Sequence, residues 1–212
     1  MKDIQLIRRD YGETALLEGD CPTDPSILFE RWLNEALKEN ILDCTAMVLS
    51  TIDKKGHPDA RVVLLKKFDS NGFVFFTQYT SPKAVQAEST GVVSLNFYWH
   101  QLARQVRVRG TIHRVSREES VAYFATRPRL SRIAALATRE STVIASRDAL
   151  ESRVQEIADE CKDKDIPCPD NWGGFRVVPT SIEFFQGRDN RLSDRIRYRK
   201  VKLTWKMERL AP

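Results

Sequence analysis

The stretch RVVLLKKFDSNGFVFFTQY, residues 61–79, decides the fold class, because its pattern is typical of strands joined by a tight turn. Runs rich in Val, Leu and Phe flank Asp69-Ser70-Asn71-Gly72, and an Asn-Gly pair favours the turns of antiparallel hairpins. The first run, RVVLLK (61–66), is apolar on both faces, which predicts a central strand.

Similar short runs continue along the chain in both directions. They are AMVLSTI (46–52), VVSLNFYW (92–99), RQVRVRGTIHRV (104–115), FRVVP (175–179), SIEFFQ (181–186), RIRYRK (195–200) and TWKMERL (204–210). Short β-branched and aromatic runs separated by turn residues favour an antiparallel barrel or sandwich.

Helix signals lie between and before these strands. They predict helices over 26–40 after the N-cap Asp24 and Pro25, from the capping box Ser116–Glu119 to about Thr126, over Leu130–Ala137 beyond Pro128, and over about Arg147–Cys161. We therefore predict an α+β fold, with a β-barrel core and peripheral helices. Residues 1–22 are expected to form a flexible N-terminal segment, and residues 23–212 a single domain.

Length, composition and net charge narrow the class of protein. The 212 residues are 42% hydrophobic and 30% charged, with a net charge of +5, as in ordinary globular proteins with a mild basic excess. No apolar run is long enough to cross a membrane, and the N-terminus lacks the apolar core of a signal peptide. We therefore expect a cytoplasmic location. The four cysteines form no Cys-x-x-Cys pair and the three histidines no metal-site spacing, so we predict no metal.

Several polar sets could hold an anion, and each also has an ordinary explanation. Arg61 and Lys66 bracket a strand about 17 Å long, and they either hold anionic groups or extend into solvent. Tyr123 and Arg127 are four residues apart on one predicted helix face, with Ser131 near the next helix start, which suits a phosphate or a simple surface pair.

Two further stretches are rich in arginine. Gln105 shares a strand face with Arg107 and Arg109, and its amide could contact a ring edge or water. QGRDNRLSDRIRY (186–198) holds four arginines, typical of either an anion site or a solvated hairpin loop. No G-x-S-x-G, Walker or G-x-G-x-x-G motif is present, which favours a protein that binds and orients a cofactor.

Together these stretches resemble the pyridoxine/pyridoxamine 5′-phosphate oxidase family. The matching pieces are RVVLLK, SPKAVQ (81–86), YWHQLARQVRV (98–108), YFATRPRLS (123–131), NWGGFRVVP (171–179), EFFQGRDNRLSDR (183–195) and ERLAP (208–212). The resemblance implies a Greek-key-like split β-barrel that forms a homodimer with FMN at the subunit interface. It implies oxidation of pyridoxine or pyridoxamine 5′-phosphate to pyridoxal 5′-phosphate, with O2 as acceptor and hydrogen peroxide as product.

The same resemblance assigns roles to individual residues. For FMN it implies Arg61, Val62, Val63, Leu64, Leu65, Lys66, Phe76, Thr77, Lys83, Gln105, Glu140, Ser141, Phe185 and Arg195. For the substrate it implies Arg8, Tyr11, Lys66, Tyr123, Arg127, Ser131, Arg191 and Ser193, with Arg191 over the reacting carbon as the candidate catalytic residue.

The chain departs from the family pattern at four positions. The family usually has His at 193, Trp at 185, Gln at 140 and Arg at 82, where this chain has Ser, Phe, Glu and Pro. A carboxylate at 140 would repel a phosphate unless it pointed away. These departures leave open a flavin oxidase with another, phenazine-type substrate and a non-catalytic binder of FMN or pyridoxal phosphate. A nucleic-acid-binding barrel rests only on the basic isoelectric point.

Overall fold

The computed structural model describes residues 3–6, 9–162 and 164–212, and it confirms the α+β class. The helices are α1 (Pro25–Lys38), α2 (Pro82–Thr90), α3 (Arg117–Thr126), α4 (Arg129–Ala137) and α5 (Arg147–Glu160). The strands are β1 (Ala46–Ile52), β2 (Pro58–Leu64), β3 (Lys67–Asp69), β4 (Gly72–Gln78), β5 (Val92–Trp99), β6 (Arg104–Arg114), β7 (Trp172–Gln186), β8 (Asp194–Val201) and β9 (Thr204–Leu210). Short 3-10 turns cover Ile4–Leu6, Glu18–Asp20, His100–Leu102 and Asp189–Arg191.

The strands hydrogen-bond in the order β2-β1-β5-β6-β7-β4-β3, and β8 and β9 continue from β7. The β3–β4 hairpin turns at residues 69–72, where the Asn71 N–H donates to Asp69 Oδ1 over 2.8 Å. This is an Asx-type contact, in which a side chain stabilises a tight turn. The hairpin predicted from residues 61–79 is thus confirmed for β3 and β4.

The prediction of a central strand over 61–66 was wrong. β2 stands at one end of the strand order, and Val62 and Leu64 are 63% and 41% exposed. Apolar residues on both faces of a strand indicate that both faces are shielded from water. Packing against a second strand is only one way to shield them. The exposed apolar residues instead border the cavity described below.

Two other elements differ from the sequence predictions. The pattern of 82–90 has no clear apolar face, yet it forms α2, with Pro82 in the first turn and Gly91 ending it at φ 70°. FRVVP and SIEFFQ were predicted as two strands but form the single strand β7. Pro179 lies between the part of β7 that pairs with β4 and the part that pairs with β8, so it interrupts neither ladder.

The chain forms two compact units. The first unit comprises Met1–Leu49, Ser94–Gly110 and Pro179–Pro212. Its core is aromatic: Phe29 meets Phe97 with ring centroids 5.0 Å apart, and Trp32 meets Phe184 edge-on at 5.3 Å. The flat faces and edges of these rings interlock at favourable distances, so they bury a large apolar area.

The second unit comprises Ser50–Val93 and Thr111–Val178. Its helical side packs around Phe124, Ile133, Ile157, Ile166 and Trp172, all buried. The predicted N-cap at the start of α3 is confirmed, because Ser116 Oγ accepts a hydrogen bond from the Glu119 N–H over 3.1 Å, while the Glu119 carboxylate accepts from Lys67. This packing fixes the corner between α3 and α4, where several predicted site residues lie. The division into a flexible segment over 1–22 and one domain over 23–212 stays a prediction.

Candidate functional site

The second unit contains a cavity of about 670 Å³, a size that suits a cofactor or small ligand. It lies beside the end of β2, β4, the start of α2, the α3–α4 corner and the segment after α4. Its lining includes Val62, Val63, Leu64, Lys66, Phe76, Thr77, Gln78, Lys83, Tyr123, Arg127, Ser131, Thr138, Glu140 and Trp172. Eleven of these residues were predicted from the sequence, and the structure brings them together.

One wall of the cavity is a stack of three aromatic rings. Phe76 lies nearly parallel to Tyr123 at 4.0 Å between centroids and to Trp172 at 5.5 Å. Gly174 permits this arrangement, because a Cβ there would come within 2.7 Å of the Phe76 ring and of Val115. The stack gives the cavity a broad, flat, apolar surface of the kind that packs against planar ligands.

Arg127 provides an unsatisfied cation at the same wall. Its guanidinium lies 4.8 Å from the Trp172 ring centroid, and its Nη1 is buried with no hydrogen-bond partner among the described residues. A buried donor without a partner costs about 1–3 kcal/mol or more when charged, so its position points to an anionic ligand. Burial lowers the pKa of Arg127, while Tyr123 acts in the opposite direction.

Tyr123 and Ser131 flank this guanidinium. The sequence placed Tyr123 and Arg127 on one helix face, but α3 ends at Thr126 and Arg127 has extended backbone angles, φ −72° and ψ 146°. The helix thus ends at Thr126, as predicted, and Pro128 disfavours helical geometry in Arg127, the residue before it. Ser131 lies in the first turn of α4, and burial raises the pKa of the Tyr123 phenol. The three side chains still line one cavity.

A second polar corner holds a lysine and a carboxylate in contact. Lys83 is 9% exposed, and its Nζ forms an ion pair with Glu140. The Thr77 hydroxyl donates to the other Glu140 oxygen over 3.0 Å. Glu140 therefore points toward the phosphate-binding residues that the resemblance assigns, and not away from them.

Lys66 lies at the exposed rim of the cavity, following β2. Its backbone N–H donates to the Val74 carbonyl over 2.8 Å, which fixes the chain at that point. No salt bridge to Lys66 is found within residues 3–6, 9–162 and 164–212. Its ammonium can thus serve as a point charge for an anion entering the cavity.

Three residues of the second unit that were assigned to FMN do not line this cavity. The Arg61 guanidinium bonds to Thr51 Oγ1 at 2.7 Å and pairs with Asp59. Leu65 is buried in the second unit. Ser141 is exposed with a left-handed φ of 63° and borders a separate cavity of about 490 Å³.

The remaining cofactor candidates belong to the first unit. Gln105 lies on β6, where Val106 and Val108 are fully buried and Arg107 and Arg109 alternate with them, as the sequence predicted. Phe185 is half-buried on β7. Arg195 donates to Glu183 over 2.8 and 3.0 Å and to the Ala211 carbonyl over 3.0 Å.

The first unit also brings together three substrate candidates near the turn at 189–191. The Tyr11 N–H donates to Asp189 Oδ1 over 2.8 Å, and the Arg191 guanidinium lies 6.0 Å from the Tyr11 ring centroid. Arg191 is exposed with a left-handed φ of 61°. Ser193 is buried, and its Oγ accepts from the Arg188 N–H over 3.4 Å. Arg8 lies outside the described residues.

Sequence reasoning missed Gln78, Thr138 and Trp172. Trp172 was named only within the matching piece NWGGFRVVP and was given no role, although it directly precedes Gly173-Gly174, whose lack of side chains lets aromatic rings pack closely. Gln78 follows Thr77 and is buried, so its role depends on contacts that a sequence does not display.

Two other features are absent from the parts of the chain that the structure describes. No three His, Cys, Asp or Glu side chains there converge to hold a metal ion. No helix there combines the length and the apolar character needed to cross a membrane. The prediction of a cytoplasmic location is not tested by that finding.

Comparison with known proteins gives matches along nearly the whole chain. A family model described as pyridoxamine 5′-phosphate oxidase matches residues 33–161, and one described as pyridoxine 5′-phosphate oxidase C-terminal dimerisation region matches residues 172–212. The pyridoxine/pyridoxamine 5′-phosphate oxidase of Legionella pneumophila (strain Paris) is 47% identical over 211 residues, covering 100% of this chain and 98% of the relative. That of Gloeothece citriformis (strain PCC 7424) is 46% identical over 212 residues, covering 100% and 99%.

Solved structures agree on the fold. PhzG from Burkholderia lata 383, in complex with tetrahydrophenazine-1-carboxylic acid, superposes with a TM-score of 0.90 at 26% identity, covering 95% of this chain and 100% of that one. A pyridoxamine 5′-phosphate oxidase-related, FMN-binding protein from Nostoc punctiforme PCC 73102 has a TM-score of 0.69 at 16% identity, covering 91% and 98%. These likenesses confirm the predicted split β-barrel fold.

Proposed function

The chain belongs to the pyridoxine/pyridoxamine 5′-phosphate oxidase family, and from this we propose that its cavity binds FMN and the phosphate of the substrate. The protein is an oxidase of this family, forming pyridoxal 5′-phosphate from pyridoxine or pyridoxamine 5′-phosphate with O2 as the acceptor and hydrogen peroxide as product. The observation that carries the phosphate assignment is the buried Arg127 Nη1, which has no partner among the described residues.

The residues present fit a flavin cofactor. The cavity volume, about 670 Å³, lies within the range of cofactor pockets, and the Phe76–Tyr123–Trp172 stack offers a flat apolar wall. Lys83 and the Thr77 hydroxyl provide charge and a hydrogen-bonding group for a phosphate, and Val62, Val63 and Leu64 supply apolar contact. The chemistry that FMN supplies when bound is acceptance of a hydride from the substrate's 4′ carbon and delivery of electrons to oxygen.

The chain's own side chains bind and orient the substrate. Arg127 presents paired guanidinium donors to a phosphate, and the Tyr123 and Ser131 hydroxyls add hydrogen bonds beside it. Lys66 adds a point charge at the rim. Because the cofactor performs the redox chemistry, orientation of the substrate carbon is the main catalytic contribution we assign to the protein.

The family resemblance assigns further residues of this chain to the flavin and to the substrate ring. Gln105, Phe185 and Arg195 would contact FMN. Arg191 would lie over the substrate ring, with Tyr11 and Ser193 beside it. The assignment is supported by the contacts around the 189–191 turn, because hydrogen bonds from Tyr11 and Gly12 to Asp189 fix the backbone there.

We also propose a homodimer with FMN at the subunit interface. Residues 172–212 match a dimerisation region, and this stretch holds β7, β8 and β9. The exposed apolar side chains of Val62 and Leu64 support a surface that is covered by cofactor or partner, since exposed apolar groups that adjoin a cavity commonly mark a binding site.

A phenazine-type oxidase is the second candidate, because of the likeness to PhzG. A substrate without a phosphate would leave the Arg127 guanidinium unsatisfied, and this argues for the phosphorylated substrate. A non-catalytic FMN-binding protein is the third candidate, on the departures at Ser193 and Phe185.

The test is to purify the protein, record the flavin absorbance after loading with FMN, and add pyridoxine 5′-phosphate under air. Formation of pyridoxal 5′-phosphate with an equal amount of peroxide is expected. A yellow protein that oxidises a phenazine precursor and leaves pyridoxine 5′-phosphate unchanged would support the second candidate. A protein that takes up no FMN would contradict all three.

A further inference from the structure

Glu140 lies where a phosphate-binding site would be expected to hold its ligand. Its carboxylate pairs with Lys83 through one oxygen and accepts from the Thr77 hydroxyl over 3.0 Å through the other. Lys83 is 9% exposed and Glu140 38%. A buried ammonium needs a partner, and here that partner is a side chain of the protein itself.

The backbone near Glu140 is held in place, so this contact is built into the fold. The Gln78 amide donates to the carbonyls of Ala135 and Thr138 over 3.2 and 2.7 Å. Its Oε1 accepts from the Glu140 N–H over 2.8 Å. Gln78 is buried and thereby ties the end of α4 and the following residues to β4, which aims the Glu140 side chain at Lys83.

We propose that Glu140 is an internal competitor for the FMN phosphate, and that it sets the affinity of this chain for its cofactor. This inference rests on the proposed function. A phosphate and a carboxylate cannot both bind the same lysine and threonine side chains at close range, because like charges repel strongly where water is partly excluded. The carboxylate must therefore release Lys83 before the phosphate binds, and the lost ion pair weakens the cofactor affinity.

The test is to titrate FMN and riboflavin, which lacks the phosphate, into cofactor-free protein and follow the quenching of flavin fluorescence. Glu140→Gln keeps the side-chain length and removes the charge, while Glu140→Asp keeps the charge. We expect Glu140→Gln to bind FMN about 5- to 30-fold more tightly than the parent, with riboflavin affinity unchanged. The matched control is Glu151→Gln, which removes an exposed carboxylate that pairs with Arg147 on α5.

A double-mutant cycle separates competition for Lys83 from simple repulsion. In a Lys83→Met background, the ammonium for which carboxylate and phosphate compete is absent. Replacing Glu140 by Gln should then raise the FMN affinity by less than twofold. If the full rise in FMN affinity persists in the Lys83→Met background, competition for Lys83 is contradicted, and only through-space repulsion between Glu140 and the phosphate explains the effect.

Thermal unfolding gives a second readout that needs no turnover. Without FMN, Glu140→Gln should unfold at a lower temperature than the parent, because it leaves the Lys83 ammonium without its partner. The rise in Tm on adding FMN should be larger for Glu140→Gln than for the parent. If the parent and Glu140→Gln bind FMN with equal affinity, the inference is wrong while the oxidase assignment stands. The same holds if the substitution raises the affinity for riboflavin as much as the affinity for FMN. If none of the proteins binds FMN, the proposed function itself is contradicted.

Discussion

Replacing Arg127 by methionine tests the phosphate assignment most directly. Methionine keeps an unbranched stem to pack over Trp172, and it removes the guanidinium that lies 4.8 Å from that ring. A hydrogen bond to a charged group contributes about 1.5–3 kcal/mol, and each 1.36 kcal/mol is tenfold in rate. We therefore expect kcat/KM for pyridoxine 5′-phosphate to fall by about 10- to 150-fold.

Stability should respond differently from activity. The substitution loses a cation–π contact of about 0.5–2 kcal/mol, but it also removes a buried donor without a partner, which costs about 1–3 kcal/mol. These contributions oppose each other, so the free energy of unfolding of the cofactor-free protein should fall by no more than about 1 kcal/mol and can rise by up to about 2.5 kcal/mol. The corresponding expectation is a Tm that falls by no more than about 3 °C relative to the parent.

The assay compares initial rates of peroxide formation with pyridoxine 5′-phosphate and with pyridoxine, which has no phosphate. The loss should be confined to the phosphorylated substrate, because the guanidinium is assigned to the phosphate alone. Arg147→Met on α5 is the matched control, since Arg147 is 79% exposed and pairs only with Glu151 among the described residues. A kcat/KM within twofold of the parent, or an equal loss with both substrates, would refute the assignment.

Three further outcomes are expected. Ser193→His should leave FMN content unchanged and lower KM for pyridoxine 5′-phosphate, because an imidazole adds a titratable hydrogen-bonding group; unchanged kcat and KM would place residue 193 outside the site. Gly174→Ala should destabilise the protein by about 1–3 kcal/mol in urea unfolding and weaken FMN binding, since its Cβ would come within 2.7 Å of Phe76; parent-like stability would show that Phe76 moves freely. The hydrogen bond from Arg209 lowers the pKa of Glu18 from 4.5 to about 2, so its contribution to stability is present above pH 4.5 and is lost as the pH falls to about 2. Glu18→Gln should flatten that part of the stability curve, and equal slopes would contradict the assignment.

The strands and the helix ends could be predicted because they depend on local pattern. The β3–β4 hairpin, the N-cap at Ser116 and the alternation along β6 all follow from side-chain period and turn chemistry within a few residues. α2 was missed because its nine residues bury only Lys83, Ala84 and Ala87, which leaves no apolar face to recognise. Its start and end were nonetheless marked, by Pro82 and Gly91.

The candidate site divides in the same way. The family resemblance could name Lys83, Thr77 and Glu140 as residues near a phosphate, because each matches a position in a motif or departs from one. It could not show that Glu140 pairs with Lys83, since the two are 57 residues apart in the chain. Gln78 carried no signal of its own and Trp172 only the two glycines after it, because their roles come from buried contacts with distant segments.

The sequence by itself thus determined the α+β class, the family and most of the side chains around the cavity. Short-range patterns and motifs are sufficient for this, because strand alternation, capping and turn geometry act between residues close in the chain. Only the tertiary structure decided that β2 lies at the end of the strand order, and that Glu140 forms an ion pair with Lys83. It also decided that Arg127 has a buried donor without a partner among the described residues. Burial and ion pairing depend on which distant segments meet, and the free energy of a charge depends on that surrounding more than on its neighbours in sequence.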